Sequence, residues 1–417
     1  MLFSACNFQE TPELWLARAR RVRANDYSGD RNMTMNLGFS ESQERFRQEV
    51  RSWMDDNCFR DPMPESLDDQ VEYQRRWQRL LADAHLVGVH WPIEWGGRGL
   101  SLIDNYIVQE EMALADAPEI LNRVGVNLAG PVLLQWGTPE QKQAYLPRIL
   151  TAEDHWCQLF SEPDAGSDLG SMRTRALKVD GGWRISGQKI WTSYGHYADY
   201  GVLLARTSEP NERRQIGYFL LDMRQDGVRT QPLRQLTGSA EFCEVFFDGA
   251  FVPDDQVVGD PTEGWKVMRT TIGHERTSSP RQLINHSRLL EELLRQARSE
   301  KVDEVTRQAL AKAYCELGIY RIHLKSALDS LERTGEPGPT GSLIKLYWSE
   351  LSQRMHDVSL RMLGLGGVTE ESRRSREYLY YRSCTIAAGT SEIQRNTIAD
   401  QVLQMPPEPR VASADRS

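Results

Sequence analysis

The spacing of apolar residues changes twice along this chain of 417 residues, and each change separates helical from strand sequence. Phe46, Val50 and Met54 recur at the interval of one face of a helix. From about Trp156, short apolar runs separated by Gly, Pro and Asn replace that interval, as strands and turns require. Beyond Trp265 the helical spacing returns. The chain therefore contains helices, then a β block, then helices, which indicates an α+β fold of several domains.

The same changes give candidate domain boundaries and elements. We expect an N-terminal extension over 1–36, a helical domain over 37–153, a β domain over 154–261, a helical domain over 262–405 and a tail over 406–417. Ser40 and Gln43 form a capping-box pattern, and Ser342 is a plausible N-cap. Arg175–Val179 and Trp183–Ile185 flank an Asp-Gly-Gly turn and predict a hairpin. Further strands are predicted at Tyr200–Ala205, Ile216–Met223 and Glu244–Phe247.

Charge and cysteine content narrow the function classes. With 50 basic and 59 acidic side chains the formal charge is −9, which argues against a general binder of nucleic acids or anionic membranes. The six cysteines are scattered without a C-x-x-C pair, so we expect no disulfide scaffold, no metal site and a cytoplasmic location. No apolar run approaches the roughly 18 residues that a membrane helix needs.

Two polar segments of the β block are candidate ligand sites. Residues 161–168 place Pro163 and Gly166 in a tight turn, which would free backbone N–H groups for an anionic or heteroaromatic ligand. An ordinary connection between strands explains the same residues. Lys189–Tyr194 sets Trp191 among hydroxyl groups at a strand end, and packing in a core or at an interface is the simpler explanation of that indole.

Glycine clusters near the C-terminus are a third candidate. Leu363–Gly367 and Gly389–Arg395 each lie next to a helix, where free backbone amides suit a phosphate group. A glycine that ends a helix is the commoner explanation of such a cluster.

Glu275 is the single residue whose position most suggests chemistry. It continues the apolar stripe that Met268 and Ile272 define on a predicted helix. A carboxylate there is either paired with a cation, such as Arg276 or Arg281, or functional. Burial would raise its pKa from the reference value of about 4.3 toward the range that a general base needs.

Taken together, these segments resemble the acyl-CoA dehydrogenase flavoprotein family from about Met35 to Gln404. Residues 161–168 match its (T/S)-E-P-x-A-G-S-D signature, Ile190–Ser193 its W-x-T/S flavin strand and Gly389–Arg395 its G-T-S-x-x-Q motif. The resemblance implies an N-terminal helical domain, a middle β-barrel-like domain and a C-terminal four-helix bundle, with FAD between them. It also implies a homo- or heterotetramer that passes electrons to electron-transfer flavoprotein or a similar acceptor.

The resemblance also implies a role for each matching position. Glu275 would be the catalytic base, and Ser167, Arg276 and Gly389 would contact the acyl-CoA substrate. Trp191 would pack against the isoalloxazine ring, and Ser193 would hydrogen-bond near its N5 edge. The complete set of implied FAD contacts comprises Gln158, Leu159, Phe160, Ser161, Trp191, Thr192, Ser193, Gly364, Gly366, Gly367, Thr390 and Glu392.

Two features depart from the family pattern. Most members place the catalytic glutamate directly before the terminal G-T-S, where this chain has Ala388. A minority carry it in a Glu-Arg pair on the first helix of the C-terminal domain, where this chain has Glu275 and Arg276. The R-x-x-F-G segment that usually reaches a neighbouring subunit's FAD is missing between Arg295 and Tyr314.

The implied reaction is α,β-dehydrogenation of an acyl-CoA thioester, in which Glu275 removes the α-proton and the β-hydrogen passes to the flavin. Ala387 and Ala388 leave extra room, so we expect a branched or bulky acyl chain such as a steroid side chain; the G-T-S-E-I-Q-R tail also resembles those of actinobacterial lipid-degrading members. Three alternatives stay open: a co-catalytic subunit of a mixed tetramer, an oxidase that reduces O₂, and a DNA-binding relative. Arg373–Arg382 mixes basic and aromatic residues as the last would require, although a solvated helix face is commoner and we expect no nucleic-acid partner.

Overall fold

The computed structural model of the chain describes residues 39–208, 215–275, 280–334, 340–369 and 372–406. The first domain consists of helices α1 (Glu41–Asn57), α2 (Leu67–Asp83), α3 (Leu102–Leu114), α4 (Gly130–Trp136) and α5 (Pro139–Leu150). The predicted capping box is confirmed, since the Ser40 hydroxyl accepts the Gln43 N–H and the Gln43 side chain accepts the Ser40 N–H at 2.8 Å. Gly130 opens α4 against the ring of Trp91, and a Cβ there would lie 2.1 Å from that ring.

The middle domain is one curled, seven-stranded sheet. Its strands are β1 (Trp156–Leu159), β2 (Arg175–Val179), β3 (Gly182–Ser193), β4 (Tyr200–Arg206), β5 (Ile216–Asp222), β6 (Val228–Leu233) and β7 (Phe242–Pro253). The sheet order is β1-β4-β2-β3-β7-β6, and β5 pairs with the other side of β4. The predicted hairpin is confirmed, with Val179 opposite Gly182. The sequence pattern missed β6, an edge strand that contains Pro232 and alternates weakly.

The two faces of this sheet belong to different cores. On one face Leu159, Leu203 and Val245 belong to the core of the curled sheet itself. On the other, Trp156 and Val202 join a core that they share with the N-terminal helices. Alternate residues of β1 and β4 therefore serve different cores, as the two-residue period of a strand requires.

The last domain is helical again. It contains α6 (Gly264–Glu275), α7 (Pro280–Ser299), α8 (Glu304–Thr334), α9 (Thr340–Met362), α10 (Gly366–Thr369), α11 (Arg373–Tyr381) and α12 (Ser391–Thr397). Leu293, Leu317 and Met355 bring α7, α8 and α9 together around one apolar core. The expected three-part order with a C-terminal helical bundle is confirmed. The prediction for Ser342 is wrong, because that residue is buried inside α9 rather than at its start.

Helix α11 contains the basic and aromatic stretch that a DNA-binding protein would require. Its arginines are engaged within the domain: Arg374 is buried and donates to the Ser359 hydroxyl at 2.7 Å, and Arg382 pairs with Asp357 at 3.0 Å. These contacts give the stretch a structural role. No helix in the described ranges is both long and apolar enough to cross a membrane.

Candidate active site

The signature loop after β1 is built around one buried ion pair. The Glu162 carboxylate accepts the backbone N–H groups of Arg173 at 2.6 Å and Thr174 at 2.9 Å. Lys189, which has no exposed surface, donates from Nζ to Glu162 at 2.9 Å and to the carbonyl oxygen of Phe160 at 2.8 Å. The glutamate of the signature therefore holds the loop against β3 and does not face a ligand.

The residues of this region that were predicted to contact a ligand differ in how accessible their side chains are. Leu159 is fully buried in the core of the curled sheet, and Phe160 is buried on its other face, so their side chains are engaged in packing. Gln158 and Ser161 are partly exposed, and Ser167 is exposed on the loop. The polar members of this group are thus the ones whose side chains are accessible.

Trp191 occupies a strained and exposed position on β3. Its φ angle is +60°, a value that a bulky residue rarely adopts, and it lies where the register between β3 and β7 shifts. Its side chain is 58% exposed and meets Phe242 edge-on at a centroid distance of 6.2 Å. The exposed indole excludes the core position that was one of the two simpler explanations of Trp191. The Trp191 indole therefore presents a large, planar, apolar surface at the end of β3.

The two residues after Trp191 provide hydroxyl groups. Thr192 is fully buried, and its Oγ1 has no hydrogen-bond partner among the described residues. Ser193 is partly exposed at the end of β3. A buried hydroxyl without a partner costs free energy, and such an exception in a native fold needs an explanation such as a missing ligand.

The C-terminal glycine segments serve different purposes. Gly364 has a φ of +58° and donates its N–H to the carbonyl of Arg361 at 3.0 Å, so it ends α9 as a helix cap does. Gly366 begins α10, and Gly367 is buried where a Cβ would lie 2.9 Å from the Leu360 carbonyl oxygen. Close packing and capping are thus the visible roles of these glycines.

The terminal G-T-S-E-I-Q-R motif is anchored from two directions. Lys345 on α9 donates to the carbonyl oxygen of Gly389 at 2.7 Å. Gln394, which is fully buried, donates to the carbonyl oxygen of Ala388 at 3.0 Å, and the Thr390 hydroxyl accepts the Ile393 N–H to cap α12. The loop before α12 is therefore held in place although Ala388 has a positive φ of +54°.

One open pocket of about 520 Å³ lies between α9 and α12. Thr390 and Glu392, two of the predicted contacts, line it together, whereas Gly364, Gly366 and Gly367 do not. Its full lining is Glu350, Gln353, Arg354, Asp357, Thr385, Ile386, Thr390, Ser391, Glu392 and Arg395. Acidic and basic groups alternate there, which suits a polar ligand better than an apolar one.

Glu275 is the last described residue of α6, and Arg276 lies outside the described residues, as does the Glu275 side chain. The helix that carries it is fixed to the N-terminal domain. The Trp136 indole donates to the Thr270 hydroxyl at 3.0 Å, and that hydroxyl donates to the Gln135 side chain at 3.0 Å. Position 275 thus lies at the end of a helix anchored between domains.

Sequence reasoning missed a charged cluster where all three domains meet. Glu119 pairs with Arg123 at 2.5 Å and with Arg281 at 3.4 Å. Tyr194 and Tyr380 lie near enough for the charges of Glu119 and Arg123 to influence their pKa values. We call these five residues the polar wall. Glu119 and Arg123 are four residues apart, but Arg281 comes from a distant part of the sequence, so no local pattern could have revealed the whole cluster. Arg281 entered the sequence analysis only as a candidate partner of Glu275.

The charges of the polar wall stabilise one another. Burial by itself would raise the pKa of Glu119, but Arg123 and Arg281 outweigh it and hold that pKa below its ordinary value. Glu119 in turn raises the pKa of Arg123. Burial raises the pKa of Tyr380 to about 12 and also raises that of Tyr194. At neutral pH the wall therefore combines one carboxylate, two guanidinium groups and two neutral phenols.

Three family models match this chain in the order of its three domains. They describe the N-terminal domain of acyl-CoA dehydrogenases over residues 40–153, the middle domain over 157–250 and the C-terminal domain over 262–403. The chain belongs to the acyl-CoA dehydrogenase family. Acyl-CoA dehydrogenases are FAD-dependent oxidoreductases that act on CH–CH bonds.

Similar proteins extend this assignment. The acyl-CoA dehydrogenase IpdE1 of Mycobacterium tuberculosis is 38% identical over 383 residues, which span 88% of this chain and 98% of IpdE1. Among solved structures, the ChsE4-ChsE5 complex from Mycobacterium tuberculosis has a TM-score of 0.76 at 26% identity and covers 90% of this chain and 100% of its own. The Tcur3481-Tcur3483 steroid ACAD has a TM-score of 0.75 at 27% identity, with the same coverage of 90% and 100%.

Proposed function

We propose that this acyl-CoA dehydrogenase uses FAD to oxidise the Cα–Cβ bond of a branched or bulky acyl-CoA thioester, with Glu275 as the catalytic base. The observation that carries the proposal is the strained, exposed Trp191 beside the buried, unpartnered hydroxyl of Thr192. Both stand on the strand that bears the family's flavin motif. A planar ligand with polar edges would cover the indole and satisfy the hydroxyl at once.

The residues of this region fit an isoalloxazine ring and its polar edges. Trp191 would pack on the ring, while Thr192, Ser193 and Ser161 would hydrogen-bond to its polar atoms. When bound, FAD supplies the two-electron acceptor that amino-acid side chains lack. Gln158 and the backbone of Leu159 and Phe160 would complete this side of the site, and Gly364, Gly366, Gly367, Thr390 and Glu392 would contact the remainder of the cofactor.

Glu275 is our candidate for the group that takes the substrate's α-proton. Ala388 stands at the usual place of the base and has no group that accepts a proton. Position 275 ends a helix that Thr270 fixes to the N-terminal domain, which supports a base held at a constant distance. Ser167, Arg276 and Gly389 would position the thioester and the rest of the CoA moiety.

The acyl pocket is proposed to be roomy. Ala387 and Ala388 are both exposed and small, so the loop before α12 adds little bulk where the family usually has an acidic side chain. A solved neighbour at 27% identity is a steroid ACAD, which supports a polycyclic or otherwise bulky acyl group.

The proposed activity is tested on the purified chain with bound FAD. Under anaerobic conditions, a substrate should bleach the flavin absorbance, and bulky or branched acyl-CoAs should do so faster than butyryl-CoA. Repeating the assay with O₂ or with electron-transfer flavoprotein separates an oxidase from a dehydrogenase. Fastest bleaching by short linear acyl-CoAs would contradict the proposed substrate class.

A second candidate function is that of one subunit in a mixed tetramer. It is favoured by the absence of the R-x-x-F-G segment between Arg295 and Tyr314, and by solved neighbours such as the ChsE4-ChsE5 complex. This candidate predicts that the chain binds little FAD alone and gains it when co-purified with a second acyl-CoA dehydrogenase chain. Full FAD occupancy of the chain by itself would contradict it.

Truncation of Trp191 tests the cofactor contact independently of turnover. Trp191→Ala should weaken FAD binding about 10-fold, since it removes an aromatic contact worth roughly 0.5–1.5 kcal/mol together with the apolar area it covers. Trp191→Phe should lose less FAD affinity than Trp191→Ala. The dissociation constant follows from titrating the apoprotein with FAD and recording flavin fluorescence.

The matched control for Trp191 is Ile93→Ala, which truncates a side chain that is 75% exposed in the N-terminal domain. It should leave the FAD dissociation constant unchanged. Equal FAD affinity for Trp191→Ala and the native chain would remove this residue from the proposed cofactor site.

A further inference from the structure

Lys345 places a positive charge behind the turn that leads into α12. The residue lies on α9 and is only 5% exposed, and its Nζ donates to the carbonyl oxygen of Gly389 at 2.7 Å. Burial of an ammonium group costs free energy unless hydrogen bonds or opposite charges compensate it. A buried lysine is a costly way to fill space, so its contact with the turn calls for an explanation.

Two buried donors fix consecutive peptide groups of this turn. Lys345 holds the carbonyl of Gly389. Gln394, which is fully buried, donates to the carbonyl oxygen of Ala388 at 3.0 Å. Ala388 and Gly389 both have positive φ angles, of +54° and +86°. A Cβ at Gly389 would lie 2.7 Å from the amide nitrogen of Gln394, so the turn has little room to adopt another conformation.

The direction of a carbonyl determines the direction of the N–H group in the same peptide. A trans peptide group is planar, so its N–H points opposite to its carbonyl. Because the Gly389 carbonyl points to Lys345, the Thr390 N–H points away from Lys345. Within the described ranges, that N–H has no hydrogen-bond acceptor. Thr390 lines the open pocket between α9 and α12 together with Ser391, whose buried hydroxyl also lacks a partner among the described residues.

The charges of this pocket are compatible with an anionic ligand. Each of its three carboxylates lies within 4.0 Å of an arginine. Glu350 and Glu392 pair with Arg395 at 2.5 and 4.0 Å, and Asp357 pairs with Arg382 at 3.0 Å. These pairs reduce the repulsion that an anion would meet, and the buried ammonium group adds a further positive charge behind the turn.

We propose that Lys345 is a positioning residue that directs the Thr390 N–H toward a phosphate group of FAD. The inference rests on the proposed function, in which Thr390 contacts the cofactor. A cation bonded to a peptide carbonyl strengthens the N–H of the same peptide as a donor, because successive hydrogen bonds polarise one another. Hydrogen bonds to a charged phosphate are stronger than those to a neutral oxygen. Lys345 therefore acts on the cofactor through the planar peptide between Gly389 and Thr390.

The test compares FAD with riboflavin, which has the same ring system but no phosphate. We expect Lys345→Met to raise the dissociation constant of FAD about 10-fold and to leave that of riboflavin within about 2-fold of the native value. Lys345→Arg keeps a cationic donor and should retain most of the FAD affinity. Titration of the apoenzyme with each flavin, followed by flavin fluorescence, gives both constants. Lys312→Met, which removes an exposed lysine of α8 in the same domain, should change neither.

A second pair of variants tests the N–H itself and leaves the buried lysine in place. Thr390→Pro removes the N–H, and the φ of −59° at this residue already suits a proline. Thr390→Ala is the matched control, because both variants lose the hydroxyl that caps α12. Thr390→Pro should bind FAD about 10-fold more weakly than Thr390→Ala, with equal affinities for riboflavin.

The outcomes separate this inference from the proposed function. Equal weakening of FAD and riboflavin by Lys345→Met would make the lysine merely structural and overturn the inference. Equal FAD affinities of Thr390→Pro and Thr390→Ala would do the same, and this pair decides the matter if Lys345→Met does not fold. A native chain that binds neither flavin, alone or together with a second acyl-CoA dehydrogenase chain, would instead contradict the proposed function and this inference with it.

Discussion

Glu275→Gln should slow flavin bleaching by acyl-CoA about 10³-fold while FAD stays bound. The amide keeps the volume of the carboxylate but cannot accept the α-proton, and a positioned general base contributes typically about 10²–10⁴-fold to a rate. Since position 275 ends α6, whose Thr270 contact to Trp136 the change does not touch, the fold should be unaffected. Stopped-flow absorbance of the flavin under anaerobic conditions measures the rate directly.

Two further variants make the result for Glu275 specific. Glu300→Gln alters an exposed carboxylate beyond α7 and should change neither the rate nor the FAD content. Adding Ala388→Glu to Glu275→Gln places a carboxylate at the position most family members use, and should recover part of the lost rate. Residue 388 already has a positive φ, so the glutamate brings little new backbone strain. Native bleaching rates in Glu275→Gln would move the base elsewhere.

Local patterns in the sequence were sufficient to predict the structure wherever a few neighbouring residues determine it. The capping box of Ser40 and Gln43 and the hairpin between β2 and β3 need only short-range chemistry, and both are confirmed. Ser342 was misassigned because a serine suits a helix start in general, whereas burial inside α9 depends on partners elsewhere in the fold. Strand β6 was missed because an edge strand buries too little to impose an alternating pattern.

The sequence predicted the candidate site only as a set of motifs and not as an arrangement of residues in space. The motif spacing located the signature loop, Trp191 and the segment before α12, but average residue preferences also favoured a core position for the indole, which its exposure excludes. Nothing in the sequence pairs Glu119 with Arg281 or sets Tyr380 beside them, because the N-terminal and C-terminal domains must pack together before these residues meet. The contacts of this charged cluster therefore became visible only in three dimensions.

Lys189→Met should destabilise the middle domain by about 3–5 kcal/mol, because it leaves the buried Glu162 carboxylate without its cation. The lost ion pair also joins β3 to the signature loop, so the loop next to Trp191 should exchange its amide hydrogens faster. Denaturant unfolding and hydrogen exchange measure the two effects. Lys178→Met is the matched control, since Lys178 pairs with Asp254 in the same domain with both side chains about half exposed, and should cost less than about 1 kcal/mol.

Two experiments show whether Lys189→Met loses stability because Glu162 is left unpaired or because packing is lost. One measures the stability of the variant as a function of pH, and the other adds Glu162→Gln to it. Burial would raise the pKa of Glu162, but Lys189 and hydrogen bonds from Thr174 and Arg173 outweigh it, so this pKa lies below its ordinary value. The resulting stability is fully present above the unfolded pKa of about 4.3 and is lost as pH falls through the lower folded pKa. In Lys189→Met that pKa should rise, so the variant's deficit should shrink in acid. Adding Glu162→Gln should restore most of the stability at neutral pH, and a deficit unchanged by either treatment would mean that packing, not charge, holds the loop.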